Sequence, residues 1–277
     1  MLVKEPVIFS DSGSRGERRA SGVFAGFVFR ELMGGDGAGG GIGHVRADGD
    51  VIHIGAGGDS GTENNSGTEN TVSKATRSTN EKLAWIRNHY SLESSQQVVL
   101  NQVHGSEVLS CSAGGEFDGY DAAVTSTRNL MLTIRVADCA AVLLYDSVHG
   151  VIGALHAGWR GAVAGIVPKT VGAMRALGAE AKEMRVYVSP SISASCFEVG
   201  EEVAKQFPEA FVYRSFGKKP HVDLKSFLQE QCLQLGIPHG QIEVDKICSM
   251  TDRRCESYRR DGADAGRMVA FLALQSE

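Results

Sequence analysis

ADCAAVLLYDSVHGVIGALHAGWRG, residues 137–161, is the stretch on which the fold turns. Residues 140–145 and 151–155 are short apolar runs, and Asp146-Ser147-Val148-His149-Gly150 between them is the punctuation of a hairpin turn. In an antiparallel ribbon centred near Val148 the paired positions have a constant sum, which sets Cys139 opposite His156 or Ala157. The spacing therefore predicts a thiol and an imidazole at one end of a two-stranded ribbon.

Outward from the ribbon, Asn101-Gln102-Val103-His104-Gly105 follows the apolar run 97–100, a strand by pattern, so His104 is also expected at a strand end. Residues 7–9 and 23–30 read as early strands. Residues 79–89 read as a short helix with Thr79 as N-cap and Leu83, Trp85 and Ile86 at helical spacing. Residues 118–123 and 130–137 read as strands, and period two puts Arg135, Ala137 and Cys139 on one face. Residues 161–177 form an amphipathic pattern in which Pro168 must sit in the first turn or kink the helix. Beyond it, 184–189 and 242–247 read as strands, 199–207 and 224–235 as helices, and 268–274 as the last apolar element. Mixed strands and helices without a long linker predict an α/β fold, a single compact mixed-sheet domain over 1–277 flanked by helices, with largely antiparallel pairing.

A chain of 277 residues, 42% of them hydrophobic, has ample material for a core. With 28 basic and 33 acidic residues the formal charge is -5, which offers no electrostatic basis for binding nucleic acid or an anionic membrane. Small-molecule partners are expected instead. The first residues lack an apolar signal core and no apolar run approaches the roughly 18 residues that span a bilayer, so a cytoplasmic location is the expectation. Cysteines 111, 139, 196, 232, 248 and 255 form no CxxC pair, so free thiols, core residues or metal ligands are expected rather than disulfides.

Two constellations can carry chemistry. His104, Cys139 and His156 offer two imidazoles and a thiolate, a donor set that suits zinc and leaves the fourth tetrahedral position open. Their wide sequence spacing is no compact metal motif. The same residues also fit a buried core cysteine beside unrelated histidines, or a Cys139 nucleophile activated by His156 or His104. The second constellation is cationic: Arg160 at the mouth of the helix after the ribbon, and Arg259, Arg260 and Arg267 in SYRRDGADAGR, residues 257–267. Arginines near a helix start hold phosphate in bidentate fashion, and equally serve in surface ion pairs. SPSI at 189–192 and FEVG at 197–200 are candidates for a pocket wall or a plain turn.

NQVHG, ADCAAVLLYD, GALHAGWRG, SPSISASCFEVGEEV, VDL, and SYRRDG with AGRM occur in this order over about residues 101–270. In these motifs the chain resembles the family variously called multicopper polyphenol oxidase, laccase-domain protein and peptidoglycan editing factor. The resemblance implies His104, Cys139 and His156 as ligands of zinc, with copper an alternative in vitro. It also implies a laccase-domain fold distantly like bacterial cysteine-hydrolase toxins. The activity it implies is zinc-dependent purine nucleoside phosphorylase acting on adenosine, inosine, guanosine and methylthioadenosine, with accompanying adenosine deaminase activity. Arg160 and Arg259 are then expected to position phosphate, in a monomer or weak dimer. The peptidoglycan name implies an alternative, a cysteine-type hydrolase acting on peptidoglycan precursors with Cys139 as nucleophile. Phenol oxidation is not expected, because one three-ligand site is not the array that four-electron oxygen reduction needs.

The chain also departs from the family pattern. Ser189 stands for the usual glycine, Phe197 for tyrosine, and Cys255 and Glu256 for aromatic residues. Residues 1–95 match poorly. They include a glycine-rich loop at 33–43 that lacks the Gly-Lys-Ser/Thr of a Walker sequence, and a polar, exposed insertion at 59–71 built on the near-duplicate SGTEN.

Overall fold

The structure, a computed structural model, describes residues 3–4, 23–29, 42–45, 51–54 and 74–274. The strand expected at 7–9, the insertion at 59–71 and all but the end of the glycine-rich loop lie outside these residues. From the N-terminus, β1 (Val3–Lys4), β2 (Val23–Val28), β3 (Ile42–Val45) and β4 (Val51–Ile54) precede α1 (Lys74–His89). Strands β5 (Gln97–Asn101), β6 (Val108–Ser110), β7 (Gly115–Asp118), β8 (Ala122–Thr125) and β9 (Met131–Val136) lead into β10 (Ala140–Asp146) and β11 (Val151–Ala157). Next come α2 (Trp159–Val163), α3 (Ile166–Ala176), β12 (Met184–Val188), α4 (Glu201–Ala204), β13 (Val212–Tyr213) and β14 (His221–Val222). The chain closes with α5 (Leu224–Gln234), β15 (Ile242–Val244), α6 (Tyr258–Asp261) and β16 (Met268–Leu274).

Twelve of the strands assemble into two six-stranded mixed sheets, ordered β1-β2-β16-β9-β5-β7 and β15-β12-β10-β11-β8-β6, while β3 pairs with β4 and β13 with β14. Period two decides the layering. Ala141, Leu143 and Tyr145 of β10 share a core with Phe27, Leu132 and Ile134 of the first sheet, whereas Val142 and Leu144 pack with Val167, Val171 and Leu228 of the helices outside the second. On the far side of the first sheet, Ile86 of α1 packs with Met131 and Phe271. Both faces of β10, β11 and β16 are thus covered, which is why they read as unbroken apolar runs rather than alternating ones.

Several local expectations shift. The helix expected from 79 begins at Lys74, so Thr79 is a buried residue inside α1 and not its cap. The helix expected over 161–177 is two helices, parted at Gly165, whose φ of 81° only glycine adopts without strain; Pro168 lies in the first turn of α3. The helix expected over 199–207 shortens to α4. The strand expected over 118–123 divides into the end of β7 and the start of β8. Glu256, at a position where the family resemblance carries an aromatic, is buried against Lys82 of α1, with Nζ 3.3 Å from Oε1. Lys82 also donates to the Arg267 carbonyl at 2.8 Å, which fastens α1 to the entrance of β16. All six cysteines are free, and among the described residues no helix is long and apolar enough to cross a membrane.

The ribbon forms with Ala140 opposite Ala157 and Asp146 opposite Val151. The next pair outward is therefore Cys139 with Gly158, one residue beyond the expected pairing. His156 faces Ala141 and is a same-face diagonal neighbour of Cys139. The turn is held by Asp146, fully buried, whose carboxylate accepts the backbone N–H groups of Val148 (2.9 Å), His149 (3.0 Å) and Glu180 (2.8 Å) and the His149 ring (2.8 Å). Replacing Asp146 by Ala leaves these donors without their acceptor. Thermal and urea unfolding should show a loss of about 2–3 kcal/mol, and an unchanged midpoint would mean that the turn does not depend on this carboxylate.

Candidate metal centre

β9 belongs to the first sheet and β10 to the second, so Ala137-Asp138-Cys139 is the crossing between them. Arg135, Ala137 and Cys139 therefore do not continue one pleated face as expected, although all three line the same pocket. The crossing turns on Asp138, whose φ is 76°, in the left-handed region that costs a non-glycine residue energy. Its carboxylate is engaged on both oxygens: Ser249 Oγ donates to Oδ1 and the Arg259 N–H to Oδ2, each at 2.6 Å. This fixes the backbone that presents Cys139.

His104 is presented in the same way. It follows β5 with a φ of 61°, and its loop wraps a single carboxylate. Asp121, fully buried, accepts the backbone N–H groups of Val103 (3.1 Å), His104 (3.0 Å) and Gly105 (2.7 Å). The same carboxylate accepts His156 Nδ1–H at 2.7 Å, and the Asp121 carbonyl accepts the His156 N–H at 2.7 Å. With Nδ1 committed to Asp121, His156 has Nε2 left for the site.

The ligand atoms of His104, Cys139 and His156 lie within 4.8 Å of one another, and the two imidazoles meet edge to face with centroids 4.7 Å apart. Among the described residues this is the single group of three or more such donors. It fits a zinc-like ion on three counts: borderline-soft N and S donors, a carboxylate behind one imidazole, and an open side. Two glycines make room. A Cβ on Gly158 would sit 3.0 Å from Cys139 Sγ and 3.3 Å from His104 Cδ2, and one on Gly161 would sit 2.6 Å from the Gly105 carbonyl oxygen. The glycines of HAGWRG thus let the α2 backbone close against the donors and the His104 loop.

The charges are coupled. Burial alone would raise the Cys139 thiol, but hydrogen bonds from His104 and His156 outweigh it and bring the thiol down to about 6. Burial opposes a charged His156, yet its bonds to Asp121 and Cys139 raise it to about 9. Asp121 is held below the usual carboxylate range, the effect of burial being overcome by His156 and the Gly105 N–H.

The donors open on a cavity of about 790 Å³ between the ends of the two sheets. Arg160 and Arg259 both line it, as does Arg267. Arg160, the second residue of α2, lies 4.4 Å over the Trp159 ring. Arg259 donates from Nη1 to the Glu198 carbonyl (3.0 Å) and the Cys196 carbonyl (3.4 Å), above the Phe197 ring. Ile192 and Phe197 come from the two segments expected as walls, and both face the cavity. Arg260 differs. It is spent on the carbonyls of Ser249, Met250 and Cys255 and on Asp261, and supports the loop instead of lining the cavity. Asp121 is the residue of the candidate site that motif reading missed. Its only sequence signal is a lone carboxylate at the mouth of the buried strand Ala122–Thr125.

A family model described as multi-copper polyphenol oxidoreductase laccase matches residues 56–275. The chain is 42% identical over 179 residues to a Deinococcus radiodurans protein named purine nucleoside phosphorylase, covering 63% of this chain and 69% of that one. It is 37% identical over 194 residues to the purine nucleoside phosphorylase ORF3 of Streptomyces griseus, covering 67% and 77%. The Bacillus licheniformis hypothetical protein YfiH superposes with a TM-score of 0.67 at 25% identity, over 72% of this chain and 82% of that one. YlmD of Geobacillus stearothermophilus superposes with a TM-score of 0.71 over 97% and 99%; at 20% identity it shares the fold.

Two measurements probe the centre. Asp121→Asn should weaken zinc binding about 10–100-fold in a chelator competition titration, and unchanged affinity would show that the carboxylate does not orient His156. In metal-free protein, alkylation of Cys139 followed by peptide mass spectrometry should rise with a midpoint near pH 6 and be suppressed by zinc. A midpoint near 9, the ordinary thiol value, would show that the imidazoles do not stabilise the thiolate.

Proposed function

This chain belongs to the multi-copper polyphenol oxidoreductase laccase family, and from that premise we propose that it is a zinc-dependent purine nucleoside phosphorylase with adenosine deaminase activity. The observation that carries the reading is the convergence of His104, Cys139 and His156 on the cavity that Arg160 and Arg259 also line. The names of the relatives support it. Phenol oxidation draws no support from a single three-donor group among the described residues.

A zinc ion held by His104, Cys139 and His156 would supply Lewis-acid chemistry with one open position. The chain's own residues do the rest. Asp121 keeps the Nδ1 proton on His156, so that Nε2 remains a donor. Arg160 and Arg259 approach from α2 and α6 and are suited to clamp a phosphate by its oxygens. Trp159, Phe197 and Tyr258 give the cavity flat apolar walls for a purine, and with it in place exclude water from the ribose. In phosphorolysis a phosphate oxygen bonds to ribose C1′ as the bond from C1′ to the base nitrogen breaks, giving ribose 1-phosphate and free base. In deamination, water adds at C6 of adenine and ammonia leaves, giving inosine. Adenosine, inosine, guanosine and methylthioadenosine are the expected nucleosides.

A second reading has a specific observation behind it. Asp121, His156 and Cys139 form the orienter, base and thiol of a cysteine hydrolase, which would act on peptidoglycan precursors. That reading leaves unexplained why His104, on a strained backbone, points a second imidazole at the same sulfur.

Protein of measured zinc content, incubated with adenosine, should release ribose 1-phosphate and adenine when phosphate is present, and inosine with ammonia when it is not. Replacing Cys139 by Ser should reduce both activities by two orders of magnitude or more. Zinc-loaded protein that yields neither product set would overturn the proposal.

A further inference from the structure

The cavity holds more positive charge than one phosphate calls for. Arg135, Arg160, Arg259 and Arg267 line it, against the single carboxylate of Asp138, which Ser249 and the Arg259 backbone already engage. Among the described residues none of these arginines makes an ion pair within 4.0 Å. Glu116 acts on Arg135 only at longer range.

The four fall into two pairs. Arg160 and Arg259 belong to α2, which follows the second sheet, and to α6, which is tied to Cys196 and Glu198. Arg135 belongs to β9 of the first sheet, and Arg267 immediately precedes β16 of the same sheet. Arg135 lies opposite Val269 in the pairing of β9 with β16, so Arg267, two residues before Val269, is its diagonal neighbour. Each is anchored through one terminal nitrogen. Arg135 Nη2 donates to the Leu100 carbonyl at 2.7 Å and to Asn101 Oδ1 at 3.3 Å. Arg267 Nη1 donates to the carbonyls of Ala265 and Gly266, both at 2.8 Å. Both residues line the cavity, where two like charges repel each other; burial and the Arg267 charge together depress Arg135. An oxyanion relieves that repulsion, and two such forks match its geometry. Gln102 locks the site to the metal centre, because its amide brackets the Arg135 backbone, donating to the carbonyl and accepting the N–H, both at 2.9 Å, two residues before His104.

We infer that Arg135 and Arg267 form an oxyanion subsite separate from that of the phosphate co-substrate, and that the preferred substrates are nucleosides carrying a phosphate ester on the ribose. The inference rests on the reading of the cavity as a nucleoside site. It is tested by calorimetric titration of the zinc-loaded full chain with adenosine, adenosine 5′-monophosphate and inorganic phosphate. The monophosphate should bind about ten-fold or more tightly than adenosine, and the advantage should shrink as salt is raised. It should persist in saturating inorganic phosphate and collapse in Arg135→Gln and Arg267→Gln. Equal affinities in the unsubstituted chain overturn the inference, and that comparison needs no variant to fold. An advantage that inorganic phosphate abolishes also overturns it, since the subsite is then the co-substrate's, as does one that survives both substitutions. Turnover of adenosine without a monophosphate advantage removes this inference alone. Monophosphate binding in a chain that turns over no nucleoside removes the proposed activity and leaves the subsite standing.

Discussion

The candidate site depends on one buried carboxylate. Asp121 takes three backbone N–H groups of the His104 loop and the ring N–H of His156, so two donors from different sheets are set by a single residue. The loop leaves β5 of the first sheet, and His156 sits in β11 of the second. A carboxylate that accepts four hydrogen bonds stays ionised in a dry environment, and its charge holds the imidazole proton on Nδ1. Losing it would unpin the loop and the ring together.

Around this anchor the fold accepts local strain where the donors emerge. His104 and Asp138 both occupy the left-handed region, at the end of β5 and at the crossing from β9 to β10. Each is over-determined by its surroundings, His104 by Asp121 and Asp138 by Ser249 and the Arg259 backbone. Residues so held cluster at functional sites because packing elsewhere outweighs the cost. Gly158 and Gly161 complete the arrangement by the absence of a side chain, since a methyl group at either would meet the sulfur or the His104 loop. The buried pair of Lys82 and Glu256 carries the same logic outward, tying α1 to the strand entrance that presents Arg267.

The electrostatics divide the cavity by origin. The candidate metal donors stand where the two sheets meet, one arginine pair comes from the second-sheet side, and the other from β9 and the segment that enters β16. An apolar strip of Trp159, Ile192 and Phe197 adjoins them. On the proposed reading, a ligand with a flat base, a polar ring and oxyanions matches this distribution.

Residues 137–161 by themselves determined the hairpin, because two apolar runs joined by a turn cluster have few other ways to bury both faces, and β16 was legible for the same reason. The donors His104, Cys139 and His156 were legible as residue types at strand ends, with the family motifs naming them as a set. What the tertiary structure decided was the register by which Cys139 meets Gly158, the crossing between sheets at Asp138, and the convergence of the donors within 4.8 Å. It also decided the role of Asp121 and separated Arg260, which supports its loop away from the cavity, from Arg135 and Arg267, which line it. The physical reason is range. Periodicity and turn chemistry act between residues a few positions apart, whereas a hydrogen bond from His156 to Asp121 and a diagonal from Arg135 to Arg267 exist only once distant strands have paired.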